Sequence, residues 1–243
     1  MEIHGKTALV TGGAKRVGRV IALELAKKGA NILLHYRSSK KEAEETCSEI
    51  KTLGVSCSLL QADLSHSEDI VKMITEVGKS SKNVDILVNS ASLYYKTPID
   101  TVSETDWDKL MDANLKSPFI LSTEIGRQMA KKNGGKIVNI ADWSGFRPYK
   151  DYSVYCTSKG GLITLTKALA RDLAPKVTVN AVAPGPVLLP PDMSEEEKEA
   201  IAKTTALGRW GKPEDVAHAV TFLVENAFIN GTVLVVDGGR SIV

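Results

Sequence analysis

Tyr155 and Lys159 stand four residues apart in the run Tyr155-Cys156-Thr157-Ser158-Lys159, within a segment of helical apolar period. Two side chains at that spacing share one helix face. A lysine ammonium beside a phenol favours the phenolate and is expected to lower the tyrosine pKa from about 10 toward neutrality, making a usable acid or base. Such pairs are common on solvated helices, so the place of this one in the fold decides its meaning. Near the other end of the chain lies Thr11-Gly12-Gly13-Ala14-Lys15-Arg16-Val17-Gly18. Glycine lets a backbone approach a ligand closely, and a helix starting here would aim free N–H groups and a positive dipole at a phosphate. A tight turn with no ligand has the same composition.

An architecture must bring these two pieces together. Short β-like runs at 7–10, 32–36, 57–61, 86–89, 136–140, 177–181 and 232–236 alternate with segments of helical pattern. Helices are expected through Val17 to Ala26, stopped by Lys27-Lys28-Gly29, and at 40–53, 68–77, 104–131, 152–173 and 213–224. The long pattern at 104–131 should break near Ser117-Pro118, because proline disfavours helix at the residue before it. The expectation is an α/β fold: one doubly wound, Rossmann-type parallel sheet of about seven strands with helices on both faces. At ~150 residues per domain, 243 residues allow one domain or two. With no linker, repeat or low-complexity tract, the chain reads as a single domain, 1–243. Residues 184–203, proline-rich at first and then a helix at 194–203, are the expected substrate loop.

Composition narrows the function classes. Lys and Arg number 31 against 29 Asp and Glu, a formal charge of +2 that gives no footprint for nucleic acid or an acidic membrane. With 43% apolar residues the chain is not a disordered one. Cys47, Cys57 and Cys156 are odd in number and lack C-x-x-C spacing, against a disulfide framework and against a metal site. The N-terminus has no basic start and no long apolar stretch, and no segment approaches 18 apolar residues, so a cytoplasmic location is expected.

Open parallel sheets bind ligands at the carboxyl ends of their strands. NAD-selective folds carry a carboxylate at the end of the second strand, whereas a ribose 2′-phosphate needs cations. That strand ends Leu34-His35-Tyr36-Arg37-Ser38-Ser39, with no acid. Arg37 offers a fork of donors, Ser38 and Ser39 add hydroxyls, and Lys15 and Arg16 would flank the same phosphate. NADP(H) is therefore the expected cofactor.

The whole series resembles the short-chain dehydrogenase/reductase family. The turn fits T-G-x-x-x-G-x-G, with Arg16 where that family usually has its middle glycine. Asp63-Leu64 follows the third strand, Asn89-Ser90-Ala91 the fourth, Asn114 lies in the long helix, Tyr155 and Lys159 give Y-x-x-x-K, Pro184-Gly185 follows the sixth strand and Asp237-Gly238-Gly239 comes after the seventh. The resemblance implies that Gly12, Lys15, Arg16, Val17, Tyr36, Arg37, Ser38, Ser39, Asp63, Leu64, Asn89, Ser90, Ala91, Pro184, Gly185 and Val187 bind the cofactor, together with Tyr155 and Lys159. It implies that Tyr155 passes the proton, Lys159 lowers its pKa and holds the nicotinamide ribose, and Asn114 holds a water in the proton relay. It also implies a homotetramer built through the long helices.

One position departs from that pattern. The family's third catalytic residue is a serine about a dozen positions before the tyrosine; thirteen before Tyr155 stands Asp142, with Ser144 close by. An ionised carboxylate only accepts hydrogen bonds, which suits a substrate offering N–H groups or needing a proton at nitrogen. Asp142, Arg16, His35-Tyr36 and the run from Ser90 to Pro98 are most similar to the pteridine reductases of this family. By that resemblance Tyr94 stacks on the substrate ring, Ser92 binds substrate or cofactor phosphates, and Asp142 and Tyr155 contact the substrate. The expected reaction is NADPH-dependent reduction of a dihydropterin- or dihydrofolate-like ring, with proton delivery through Asp142 or Tyr155. The alternative is a 3-oxoacyl-carrier-protein reductase or another NADPH-dependent carbonyl reductase of the same family, and a non-catalytic NADP(H)-binding protein is the third reading.

Overall fold

The computed structural model describes residues 1–79, 83–188 and 193–243. The elements in chain order are β1 (Thr7–Val10), α1 (Arg16–Lys27), β2 (Asn31–Tyr36), α2 (Lys40–Thr52), β3 (Cys57–Gln61), α3 (Ser67–Lys79) and β4 (Ile86–Asn89). Then come α4 (Glu104–Met111), a π-helical segment (Asp112–Lys116), α5 (Ser117–Ala130), β5 (Gly135–Ile140), a 3₁₀ turn (Trp143–Gly145) and α6 (Ser153–Asp172). The last are β6 (Val177–Pro184), α7 (Glu195–Ala202), α8 (Pro213–Glu225), β7 (Val233–Val236) and a 3₁₀ turn (Arg240–Ile242).

All seven strands join one parallel sheet in the order β3-β2-β1-β4-β5-β6-β7. The order reverses at β1, and the crevice beyond the β1 and β4 ends is where such sheets place a ligand. Central strands read as continuous apolar runs because both faces are covered, yet period two still sorts them. Ala8, Val10, Ile32, Leu34, Ile86 and Val88 face a core with Ile21 and Leu25 of α1, Ile50 of α2 and Val220 of α8. Their neighbours Leu9, Leu33 and Leu87 face the opposite core, with Ile70 and Met73 of α3, Leu121 and Ile125 of α5 and Leu169 of α6. Each fully buried Leu or Ile contributes roughly 1.5–3 kcal/mol.

Two expectations need correction. The 104–131 helix does not break at Ser117-Pro118; it passes through the π turn Asp112–Lys116, and proline is accommodated at the start of α5. That turn carries Asn114, which is 1% exposed. Strand β6 runs to Pro184 rather than stopping at 181, because Val182, Ala183 and Pro184 still pair with Leu234, Val235 and Val236 of β7. Of the expected substrate loop, residues 189–192 lie outside the described residues. No helix among the described residues is long and apolar enough to cross a membrane, and no cluster of potential metal ligands occurs among them.

Candidate active site

At the end of β1 the glycine turn is fixed by contact rather than by choice of composition. Gly12 has φ +64°, and a Cβ there would lie 3.0 Å from the Cα of Ala91. A Cβ on Gly18 would enter the carbonyl oxygen of Gly12. Thr11 Oγ1 accepts from the N–H groups of Ser90 and Ala91 at 2.9 and 3.0 Å, tying the β4 end to the β1 end. Arg16 has φ +58°, a left-handed backbone that glycine adopts freely and arginine adopts at some cost in strain.

His35 braces this turn, a role that the sequence reading did not foresee. The N–H of Gly12 donates to His35 Nδ1 at 3.0 Å, and His35 Nε2 lies 3.1 Å from the carbonyl of Ala62. Both bonds together require the neutral tautomer with its proton on Nε2. Burial pushes the imidazole down to about 4, which keeps it neutral at ordinary pH.

Around that frame, Lys15, Arg16, Arg37 and Ser38 are exposed and Ser39 is half-buried. Because β2 ends against the glycine turn, Arg37 and the two serines follow within a few residues of it. In α1, no acidic residue occupies the first turn and Lys15 provides no side-chain cap, so no carboxylate competes there for the helix N-terminus. Burial pushes the Asp63 carboxyl up, but two hydrogen bonds from Ser65 and the nearby Arg37 bring it below its usual range. Val17 and Val187 are half-buried against the core. Gly185 N donates to Val236 at 2.9 Å, and a Cβ on Gly185 would stand 2.6 Å from the Cα of Asp237.

For three of the expected cofactor contacts the side chain is buried inside the fold. Tyr36 packs in the core with its hydroxyl 3.4 Å from Gln61. Leu64 packs in the opposite core. Asn89 donates to Ser122 and Asn139 at 3.0 and 2.8 Å, and Asn139 in turn donates to Thr166 at 2.9 Å. At these positions only the main chain remains for a ligand. Nothing in strand periodicity distinguishes an internal asparagine from one that faces a crevice.

The proton-handling residues gather at the end of β5. Tyr155, on the first turn of α6, donates to Asp142 Oδ2 at 3.0 Å. Asp142 caps the 3₁₀ turn, its Oδ1 accepting the N–H of Ser144 at 2.8 Å. Ser144 itself is fully buried and serves Asp142 through its main chain, so the carboxylate and not the serine meets Tyr155. Lys159 is buried, donates to the carbonyl of Ile140 at 2.9 Å, and lies 5.7 Å from the centre of the Tyr155 ring.

Burial lowers Lys159 to about 8, against the opposing pull of Asp142. It raises the Asp142 carboxyl, although the Ser144 hydrogen bonds and the Lys159 charge act the other way. Tyr155 is raised well above 10 by burial and by the neighbouring Asp142. The lowering of Tyr155 expected from Lys159 does not dominate: burial comes first, and the hydroxyl faces a carboxylate while the ammonium donates to Ile140. The tyrosine waits as a phenol, a proton donor.

Asn114 acts as a clip. Its Oδ1 accepts from the N–H of Leu93 and the hydroxyl of Ser92 at 2.8 and 3.1 Å; its Nδ2 donates to the carbonyl of Leu93 and to Ser158 at 2.9 and 3.1 Å. The side chain is thus fully engaged by protein and has no capacity left for the expected water. It pins the segment after β4 to α6 and so sets Tyr94. The Tyr94 ring stacks on Tyr152 at 4.8 Å and meets Tyr155 edge-on at 4.8 Å, and Tyr149 donates to its hydroxyl at 3.3 Å. Burial pushes Tyr152 up to about 12 and Tyr149 higher still, so both stay neutral. For Tyr149 and Tyr152 the only signal in the sequence is that five of the six tyrosines lie from 94 to 155.

A crevice with a glycine-cradled helix N-terminus on one side and a Tyr–Lys–Asp group on the other can be compared with known proteins. The family model described as short chain dehydrogenase matches residues 6–202. This chain belongs to the short-chain dehydrogenase family. A 3-oxoacyl-[acyl-carrier-protein] reductase of Staphylococcus aureus (strain Mu50) is 36% identical over 239 residues, covering 96% of this chain and 97% of that protein. A dehydrogenase/reductase from Sinorhizobium meliloti 1021 superposes with a TM-score of 0.91 at 35% identity, covering 98% of this chain and 97% of that one. A blue fluorescent protein from a metagenomic library, solved in complex with NADPH, superposes with a TM-score of 0.92 at 30% identity, covering 99% of both chains. As a short-chain dehydrogenase the protein is an oxidoreductase that uses NAD(P)(H). The glycine cradle, closed to any added Cβ, and the α1 N-terminus free of acids fit a dinucleotide pyrophosphate.

Proposed function

We infer that this short-chain dehydrogenase reduces a carbonyl group to an alcohol with NADPH, and that a 3-oxoacyl thioester is the first substrate to try. The Tyr155 hydroxyl held 3.0 Å from Asp142, as a phenol at working pH, is the observation that carries this reading. The glycine turn with Lys15, Arg16 and Arg37 would hold NADPH, which when bound would supply the hydride to the carbonyl carbon. Tyr155 gives its proton to the oxygen, which leaves that oxygen as a hydroxyl. The phenolate formed is stabilised by the Lys159 ammonium. Asp142, whose two oxygens accept from Ser144 and Tyr155, positions the Tyr155 hydroxyl before reaction. Ser92 and Tyr94 line the substrate side. Among the described residues the phosphate-facing rim lacks the β2-end carboxylate of NAD-selective folds, which supports NADPH over NADH.

The dihydropterin reading keeps one specific support: Asp142 in place of serine, beside the stacked Tyr94 and Tyr152 rings. One assay separates the two. NADPH oxidation is followed with acetoacetyl thioester and, separately, with dihydrobiopterin. Carbonyl reduction is supported by turnover of the thioester, and fails if only the pterin is consumed.

The half-exposed Trp107 and Phe119 border an open groove of about 520 Å³ between α4, the π turn, α5 and α6. Its apolar floor supports a homotetramer assembled through these helices, testable by sedimentation equilibrium. Small-molecule substrates, with neither nucleic acid nor membrane as partner, and a reducing, cytoplasmic-type compartment complete the proposal.

A further inference from the structure

The chain beyond β7 bends back toward the reacting group. Gly238 and Gly239 have φ of +63° and +80°, and the 3₁₀ turn Arg240–Ile242 follows. Asp237 fixes that bend: its two carboxylate oxygens accept the N–H groups of Gly239 and Ser241 at 2.8 and 2.7 Å. The Arg240 guanidinium is thereby laid over the ring of Trp143, 4.5 Å from its centre. Trp143 is the residue next to Asp142 and stacks in turn on Tyr149 at 5.4 Å. Arg147 reaches the Arg240 carbonyl at 3.5 Å from the same rim.

Stacking uses the flat face of a guanidinium and leaves its edge, with five N–H donors, pointing outward. Among the described residues no hydrogen bond or ion pair is formed by those donors. Asp237, the carboxylate that anchors this tail, has both oxygens committed to main chain, and Asp142 has both committed to Ser144 and Tyr155. Burial lowers the Arg240 pKa somewhat, and Tyr149, Asp142, Tyr94 and Asp237 all lie within electrostatic reach of it. A half-buried cation with a free planar edge, one residue from the proton donor's partner, matches a planar two-oxygen anion.

We propose that Arg240, laid on Trp143 at the mouth of the site, binds a carboxylate on the substrate, so that the enzyme takes oxo acids whose carbonyl sits at Tyr155. This rests on the carbonyl-reducing reading. The anion would be held by paired N–H···O bonds while the oxo group is reduced, and selectivity among carbonyl compounds would come from the tail rather than from the helices.

The test uses 2-oxobutanoate, 4-oxopentanoate and 5-oxohexanoate, each against its methyl ester, with NADPH in excess. In wild-type protein at least one acid is preferred over its ester, and Arg240→Gln lowers the acid-to-ester ratio of kcat/KM by about 10- to 100-fold. Arg240→Lys restores part of the ratio, since a point charge replaces the fork. A tail that merely packs on Trp143 would change acid and ester equally, and an unchanged ratio overturns the proposal. Calorimetric binding of the same three acids to NADP⁺-saturated protein tests it without turnover. Binding lost in Arg240→Gln supports the anchor even if no carbonyl is reduced, in which case the catalytic reading alone fails. Equal binding by both proteins overturns the anchor.

Discussion

Beyond β1 and β2 the chain presents main-chain N–H groups, glycines and exposed cations, whereas beyond β5 it presents titratable side chains taken out of water. At the first end specificity comes from shape: Gly12 and Gly18 have no room for a side chain, and His35 is kept neutral to brace them. At the second end Asp142, Tyr155 and Lys159 are all shifted by burial and by one another. A cofactor that many substrates share can be held by rigid backbone. A proton must be held by groups whose affinity for it has been tuned.

Substitutions at the two ends should fail differently. Tyr155→Phe removes the hydroxyl that bonds Asp142 Oδ2 and is expected to cut kcat by about 10²- to 10⁴-fold while NADPH still binds, as read by fluorescence titration and steady-state rates. At the cofactor end, Arg37→Asp should lower the NADPH-to-NADH ratio of kcat/KM by about 10- to 100-fold with less effect on the best kcat. Equal losses with both cofactors would remove Arg37 from the phosphate site.

The third contrast is in stability. Folding takes Lys159 from an ordinary pKa near 10.5 to about 8, so between those values the unfolded chain binds more protons and stability rises with pH. Below pH 8 the full cost of the buried ammonium is present. Lys159→Met should therefore stabilise the protein without cofactor by about 1–3 kcal/mol at pH 7, and the gain should shrink toward pH 10. Urea denaturation at the two pH values measures it. Arg16→Gly gives the smallest effect: relief of the left-handed backbone should raise the unfolding free energy by about 0.5–1 kcal/mol, read from the urea midpoint.

The same contrast governs what was legible in the sequence. Strand runs such as 57–61 and 86–89 coincide with the observed β3 and β4, since buried parallel strands must be short and apolar. Glycine spacing exposed the cradle because close backbone approach leaves no other residue. The Tyr155–Lys159 spacing located the second end, but not its protonation state: the sign of the Tyr155 shift depends first on burial and then on Asp142 meeting the hydroxyl. Asn114 was visible as a residue, but the engagement of its side chain by Ser92, Leu93 and Ser158 was not, because a π turn that rotates it onto Leu93 leaves no periodic trace. Tertiary bonds of single polar residues, such as Asn89 to Asn139, carry no pattern at all.

The central claim is that Asp142 and Tyr155 act as a coupled pair over a buried Lys159. The alkaline limb of the kcat/KM profile for NADPH-dependent carbonyl reduction tests it most directly, measured for wild type and for Asp142→Asn, which keeps the shape and removes the charge. Asp142 raises both Tyr155 and Lys159, so its neutral replacement lets both lose their protons at lower pH. The limb, set near pH 8 by Lys159 in wild type, should move to lower pH by about one unit in Asp142→Asn. A limb that stays in place, or moves to higher pH, would show that Asp142 is only the cap of a turn.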